Sequence, residues 1–149
     1  MRAFGRTIVI AAVLVSAVGM AAAAEVRVLA ADVVQQAVRA VAADFARETG
    51  HQVIFTIAAP AVVMEKIAAN ETFDAVIVSE PAMDQLDKDG IVNPESRLRL
   101  ARDGDITYEG GLMTDGSVPE AAGAFVRFLA EPDARAKWLA AKLDPLADH

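Results

Sequence analysis

VRVLAADVVQQAVRAVAADFARETGHQVIFTI, residues 26–57, decides the fold. Val26 to Ala30 is an apolar run of strand length. Val34, Val38, Val41 and Phe45 then recur at three- and four-residue spacing, which is one stripe of a helix that stops at Gly50. Val53-Ile54-Phe55-Thr56-Ile57 is rich in the β-branched and aromatic residues that suit a pleated strand. The unit repeats downstream. Val63, Ile67 and Ala68 line a second helix, Ala75 to Val78 is a third strand, and Pro81 to Asp89 is a third helix with Met83 and Leu86 inward. Continuous apolar strands between helices need cover on both faces. The expected fold is therefore α/β, three layers, with a mostly parallel sheet and right-handed crossovers.

The alternation stops after Gly90. Ile91 to Gly104 is polar and basic apart from a strand-like string, Leu98 to Ala101, and Asp105 to Met113 reads as another strand. Asp103-Gly104-Asp105 and Asp115-Gly116 read as turns, and Gly110-Gly111 as a bend. Ser117-Val118-Pro119-Glu120 has the form of a capping box with proline in the first turn, opening a helix that carries Ala121, Ala124, Phe125, Phe128 and Leu129. Pro132 starts a last helix through Trp138 and Leu139, and the tail from Asp144 is expected to fray.

Ahead of this domain stand Arg2 and Arg6, an apolar run from Ile8 to Met20, and Ala22-Ala23-Ala24, the order of a secretory signal with cleavage expected after Ala24. An uncleaved membrane anchor is the alternative, since Thr7 to Ala24 is about long enough to span a bilayer. Cleavage removes two arginines and no acids, leaving 12 bases against 21 acids. So acidic a surface suits an exported, soluble protein and disfavours nucleic acid and anionic membranes. The 125 residues after Ala24 suffice for one domain, and the absence of cysteine excludes disulfides, thiolate metal sites and a cysteine nucleophile.

No catalytic or metal-binding set is visible, and no cofactor is expected. The two histidines, His51 and His149, cannot build a metal cluster or a Ser/His/Asp arrangement, and His51 reads as a solvated loop residue. No phosphate-cradling glycine motif is present. What remains is the general geometry of open parallel sheets, which bind ligands at the carboxyl ends of their strands, beside helix N-termini. Ala30 to Val34, Ile57 to Ala61 and Ser79 to Pro81 fall there, which makes Asp32, Val33, Ala59, Pro60, Ala61 and Ser79 the candidate ligand-binding residues. Asp32 with Gln35, and Ser79 before Pro81, also fit helix caps, which is the simpler reading of both.

Val26 to Ala31, Ala42 to Gly50, Glu65 to Asn70, Phe73 to Val78, and the closing stretch Val118 to Ala134 together resemble the molybdate-binding protein family of ABC importers, bacterial type II periplasmic solute-binding proteins. That resemblance implies a single lobe over residues 25–149. The family's second lobe is inserted between the third βα unit and the closing helices, a gap spanned here by residues 93–115 alone. It implies non-covalent capture in the periplasm of a small solute, an oxyanion such as molybdate, for delivery to a membrane permease. The family holds its oxyanion partly through hydroxyls on the loops after the first two strands, where this chain has Asp32-Val33 and Ala59-Pro60-Ala61. The alternative is an interaction or sensory module, or a degenerate remnant, whose exposed inter-lobe face pairs with another chain, for instance as a homodimer.

Overall fold

The computed structural model describes residues 22–146, so the expected signal lies outside the described residues apart from Ala22 to Ala24. The three apolar runs form parallel strands: β1 (Glu25–Ala31), β2 (Gln52–Ala58) and β3 (Ala75–Ser79), with β1 between the other two. Helices α1 (Gln35–Thr49), α2 (Pro60–Ala68) and α3 (Glu80–Lys88) follow them in turn. Gly50 ends α1 at φ 77°, a left-handed conformation that glycine adopts without a Cβ penalty. The helical stripe predicted for α1 is buried throughout. In α2, Val63 and Ile67 are buried while Ala68 is exposed.

Alternation of side chains along the strands assigns the two faces. Val26, Val28, Ala75 and Ile77 pack on the side of α1 and two later helices, α4 (Pro119–Ala130) and α5 (Arg135–Ala140). Leu29, Val76 and Val78 meet Val63, Ile67, Met83 and Leu86 of α2 and α3 on the other. On the first face Phe45 lies 5.2 Å from Phe125 and 5.4 Å from Phe128, centroid to centroid, in tilted and edge-on arrangements worth about 0.5–1.5 kcal/mol per pair beyond area burial. The Trp138 indole N–H donates to the Leu129 carbonyl and fastens α5 to α4.

The sheet is mixed, which corrects the mostly parallel expectation. Its order is β2-β1-β3-β5-β4-β6, with β4 (Leu98–Asp103), β5 (Ile106–Leu112) and β6 (Asp144–Pro145). Two pairings are parallel and three antiparallel. The reason is local: Asp103 pairs with Ile106 across the turn residues Gly104 and Asp105, and so short a loop closes only an antiparallel hairpin. Because β5 runs against both β3 and β4, the carboxyl end of β4 lies at the same edge of the sheet as that of β3.

Four other expectations change. Gly110 and Gly111 lie inside β5, where a Cβ would sit 3.1 Å from Val126 and 2.9 Å from Val92 respectively, so they admit close packing and make no bend. Asp144 and Pro145 pair with β4, and the Leu146 N–H donates to the Leu100 carbonyl, so this part of the tail is bound. His51 is half-buried against Phe45, and its Nδ1 accepts the Ala24 N–H at 3.0 Å. The Ser117 hydroxyl caps no helix.

Ser117 serves Asp74 instead. That carboxylate, 3% exposed, accepts the N–H of Arg27 at 2.8 Å, the N–H and hydroxyl of Ser117 at 2.8 and 3.2 Å, and the N–H of Val118 at 3.3 Å. It joins β1, the entry to β3 and the segment leading into α4. Truncation would strand three backbone donors, each worth about 1–3 kcal/mol when buried without a partner. We predict that Asp74→Ala lowers the unfolding free energy in urea by about 3 kcal/mol or more, with Asp74→Asn intermediate. A loss below 1 kcal/mol in both would show that the join is dispensable.

Candidate functional site

The loops that leave β1, β2 and β3 and the β4–β5 hairpin all arrive at the carboxyl edge of the sheet. Between them lies an open hollow of about 460 Å³, lined by Pro60 from α2, Ser79 at the end of β3, Glu80, Pro81 and Asp84 from α3, and Asp105 to Tyr108 from the hairpin. Ser79 pairs directly with Tyr108 across β3 and β5, which brings the hairpin to the start of α3.

Of the six residues expected from the sequence, Pro60 and Ser79 line the hollow. Asp32, Val33, Ala59 and Ala61 stand at the same edge, outside its lining. Asp32 opens a 3-10 turn, Asp32–Val34, and its carboxylate makes no capping hydrogen bond, so the cap expected with Gln35 does not form. Ala59 is the extended residue before α2, and Pro60 is the first residue of that helix. Ser79 occupies the cap position of α3, again with no side-chain capping bond. Glu80 reads from the sequence, like Ser79, as a helix cap first and a ligand contact second, whereas Asp84, Asp105, Thr107 and Tyr108 are not singled out as contacts. The signal was present in the register: a turn at Asp103-Gly104-Asp105 between two apolar strings specifies a hairpin, but only its insertion beside β3 makes its tip part of this edge.

The lining carries carboxylates and hydroxyls, and no lysine, arginine or histidine. Just below it, the Arg97 guanidinium donates to Asp84 at 2.6 Å, Asp87 at 3.0 Å and Glu109 at 2.6 Å. Its charged form is reinforced first by Glu109, then by Asp84. Glu109 is 6% exposed, so Arg97 neutralises a buried charge and pins β5 to α3. Arg99 reaches Glu80 at 3.4 Å on the surface. Asp32, Asp103 and Asp105 have no cationic partner within 4 Å among the described residues. Tyr108, the only tyrosine of the chain, is 4% exposed and lines the hollow. Burial first, then the carboxylates of Asp103 and Asp32, raises its pKa above the ordinary 10.0.

The model of the family described as bacterial extracellular solute-binding protein matches residues 26–104, more than half of the chain. No curated protein matches by sequence. Among solved structures the fold is similar to the substrate binding domain of a putative molybdenum ABC transporter from Clostridium difficile (TM-score 0.76, 9% identity, covering 83% of this chain and 100% of that one). It is also similar to the Azotobacter vinelandii periplasmic molybdate-binding protein (0.73, 12% identity, 83% and 100%) and the sulfate-binding protein SubI from Mycobacterium tuberculosis H37Rv (0.72, 14% identity, 83% and 87%). At these identities the likeness establishes the fold.

Two predictions test this edge. Removing Arg97 leaves the Glu109 carboxylate buried without its cation, so Arg97→Ala is expected to cost about 3–5 kcal/mol in denaturant unfolding. A cost under 1 kcal/mol would mean the cluster is not a tether. Because the folded pKa of Tyr108 lies above that of an unfolded tyrosine, the stabilisation is fully present below pH 10 and is lost as pH rises beyond it. The phenolate absorbance of this single tyrosine should titrate later in the folded protein than after unfolding in urea, and Tyr108→Phe should flatten the alkaline fall in stability. Coincident titrations in the two states would contradict the burial of the phenol.

Proposed function

This chain belongs to the bacterial extracellular solute-binding proteins, and from that premise we propose that it captures a small solute at the carboxyl edge of its sheet and delivers it to the membrane permease of an ABC importer. The family and the similar structures are binding proteins, not enzymes. Capture is non-covalent and takes place in the periplasm, the compartment that the N-terminal signal reading also indicates. The observation that carries the proposal is convergence: the starts of α2 and α3 and the β4–β5 hairpin border one open hollow of about 460 Å³ at the carboxyl edge, where open α/β sheets bind their ligands.

In this reading the protein is a lobe working alone, with the β4–β5 hairpin standing where a second lobe would be inserted. An open site of this kind covers less of its solute than one closed between lobes, which favours weak, rapidly reversible capture. Molybdate or a related oxyanion is the solute implied by the resemblance. The hollow would offer it the hydroxyls of Ser79, Thr107 and Tyr108 in place of hydroxyls on the loops after β1 and β2.

A second reading, docking of another chain on this edge, draws support from the exposure of Val33, Val62 and Ile106, which are 38%, 40% and 48% exposed. Binding to the native state raises the unfolding midpoint, by about 2.7 kcal/mol in stability at a hundredfold excess over Kd. A thermal-shift screen of the exported protein against oxyanions, divalent metals, amines and organic acids, run beside sedimentation, separates the two readings. Solute capture predicts a saturable shift with one solute class on a monomer. A stable dimer with no shift for any solute would support docking and overturn capture.

A further inference from the structure

We propose that the secretory signal is cut between Ala23 and Ala24, and that the α-amino group so created is clamped by His51 at the amino edge of the sheet. The inference concerns processing: it rests on the signal reading of the N-terminal residues and is independent of the solute. Export cleavage requires small residues at the first and third positions before the cut, and Ala21 with Ala23 meets this as well as Ala22 with Ala24 does. Local pattern therefore leaves two bonds open. They differ in whether the folded domain keeps Ala24.

The packed structure begins at Ala24. Ala22 and Ala23 are exposed, whereas Ala24 is half-buried and packs against the core on the α1 and α4 face. Both of its backbone groups are engaged: the N–H donates to His51 Nδ1 at 3.0 Å, and the carbonyl accepts the Gln52 N–H at 3.0 Å. A cut after Ala24 would take the partner from a half-buried imidazole and from the first residue of β2 at once. His51 is itself held in place to receive this residue, with its ring 5.9 Å from that of Phe45 and its own N–H donated to Thr49 Oγ at 3.2 Å.

A cut before Ala24 keeps both bonds and strengthens one of them. The Ala24 nitrogen becomes an ammonium, and a charged donor to a neutral imidazole makes a stronger hydrogen bond than an amide does. The surroundings suit that charge. Ala24 and His51 line an open hollow of about 470 Å³ together with Glu120, and no lysine or arginine lines it. Glu120 has no cationic partner within 4 Å among the described residues, so the new positive charge meets a carboxylate with which nothing else there competes. Capture of an N-terminal amine by a folded surface is an established mode of chain recognition.

Expression of the full chain in a bacterial host, with intact mass and N-terminal sequencing of the exported product, reads the cut directly. The product should begin Ala-Glu-Val-Arg, at Ala24. A product beginning at Glu25, or at any other residue of the signal region, would overturn the proposal and leave the signal reading standing. Retention of the whole signal would overturn both. The clamp is tested separately by thermal unfolding of two forms released from a cleavable tag without added residues, one starting at Ala24 and one at Glu25. The first should melt a few degrees higher. His51→Phe keeps an aromatic ring against Phe45 but has no acceptor nitrogen, so it should remove most of that difference by lowering the Ala24 form alone. Equal midpoints for the two wild-type forms, or a difference that His51→Phe leaves intact, would overturn the clamp.

Discussion

Asp74 holds one end of the molecule together. Its buried carboxylate receives backbone N–H groups from the start of β1 and from the segment entering α4, so the first βα units and the closing helices share one anchor. Those contacts are far apart in sequence, and burying a charge is costly unless its hydrogen bonds are satisfied, so the fold must supply all of them together. With α4 fixed in this way, Phe125 and Phe128 are delivered to Phe45 of α1, and Trp138 then ties α5 onto α4. The amino edge of the sheet is thus committed to stability, and the carboxyl edge is left for binding.

Arg97 does the corresponding work at the other edge. It takes three carboxylates, one on β5 and two on α3, and holds the hairpin strand against the helix whose first turn forms a wall of the hollow. The glycines of β5 make that seat possible, since side chains at positions 110 and 111 would collide with Val126 and Val92 from the two covering layers. The result is a rigid floor under an acidic, open rim. Among the described residues Asp32, Asp103 and Asp105 stand there without a cationic partner, whereas Asp84 and Glu80 are paired with Arg97 and Arg99.

The regular first half was readable residue by residue. The α1 stripe Val34, Val38, Val41 and Phe45, the three apolar strands, and the inward Met83 and Leu86 all follow from periodicity, because burial on one face imposes 3.6- or 2-residue repeats whatever the partner. Polar residues were less legible. Ser117 and Asp32 both satisfy capping patterns, yet neither caps a helix: Ser117 is taken by a carboxylate 43 positions away, and Asp32 faces solvent. His51 looked like a solvated loop residue but accepts the backbone N–H of Ala24, just before β1. A hydroxyl or imidazole can serve many partners, and which one it meets depends on chain segments that local pattern does not locate.

The sequence by itself determined the layered α/β plan, the acidic balance, the lack of thiol chemistry and the three loops at the carboxyl edge. Those properties depend on composition and on spacing within one element. Only the tertiary structure decided that the β4–β5 hairpin enters beside β3 and turns the sheet mixed, that Asp105 to Tyr108 join Pro60 and Ser79 in one hollow, and that Tyr108 is buried in its wall. Strand order is chosen by how the faces of several elements pack at once. A site assembled from segments some twenty to fifty residues apart therefore exists only once that packing is complete.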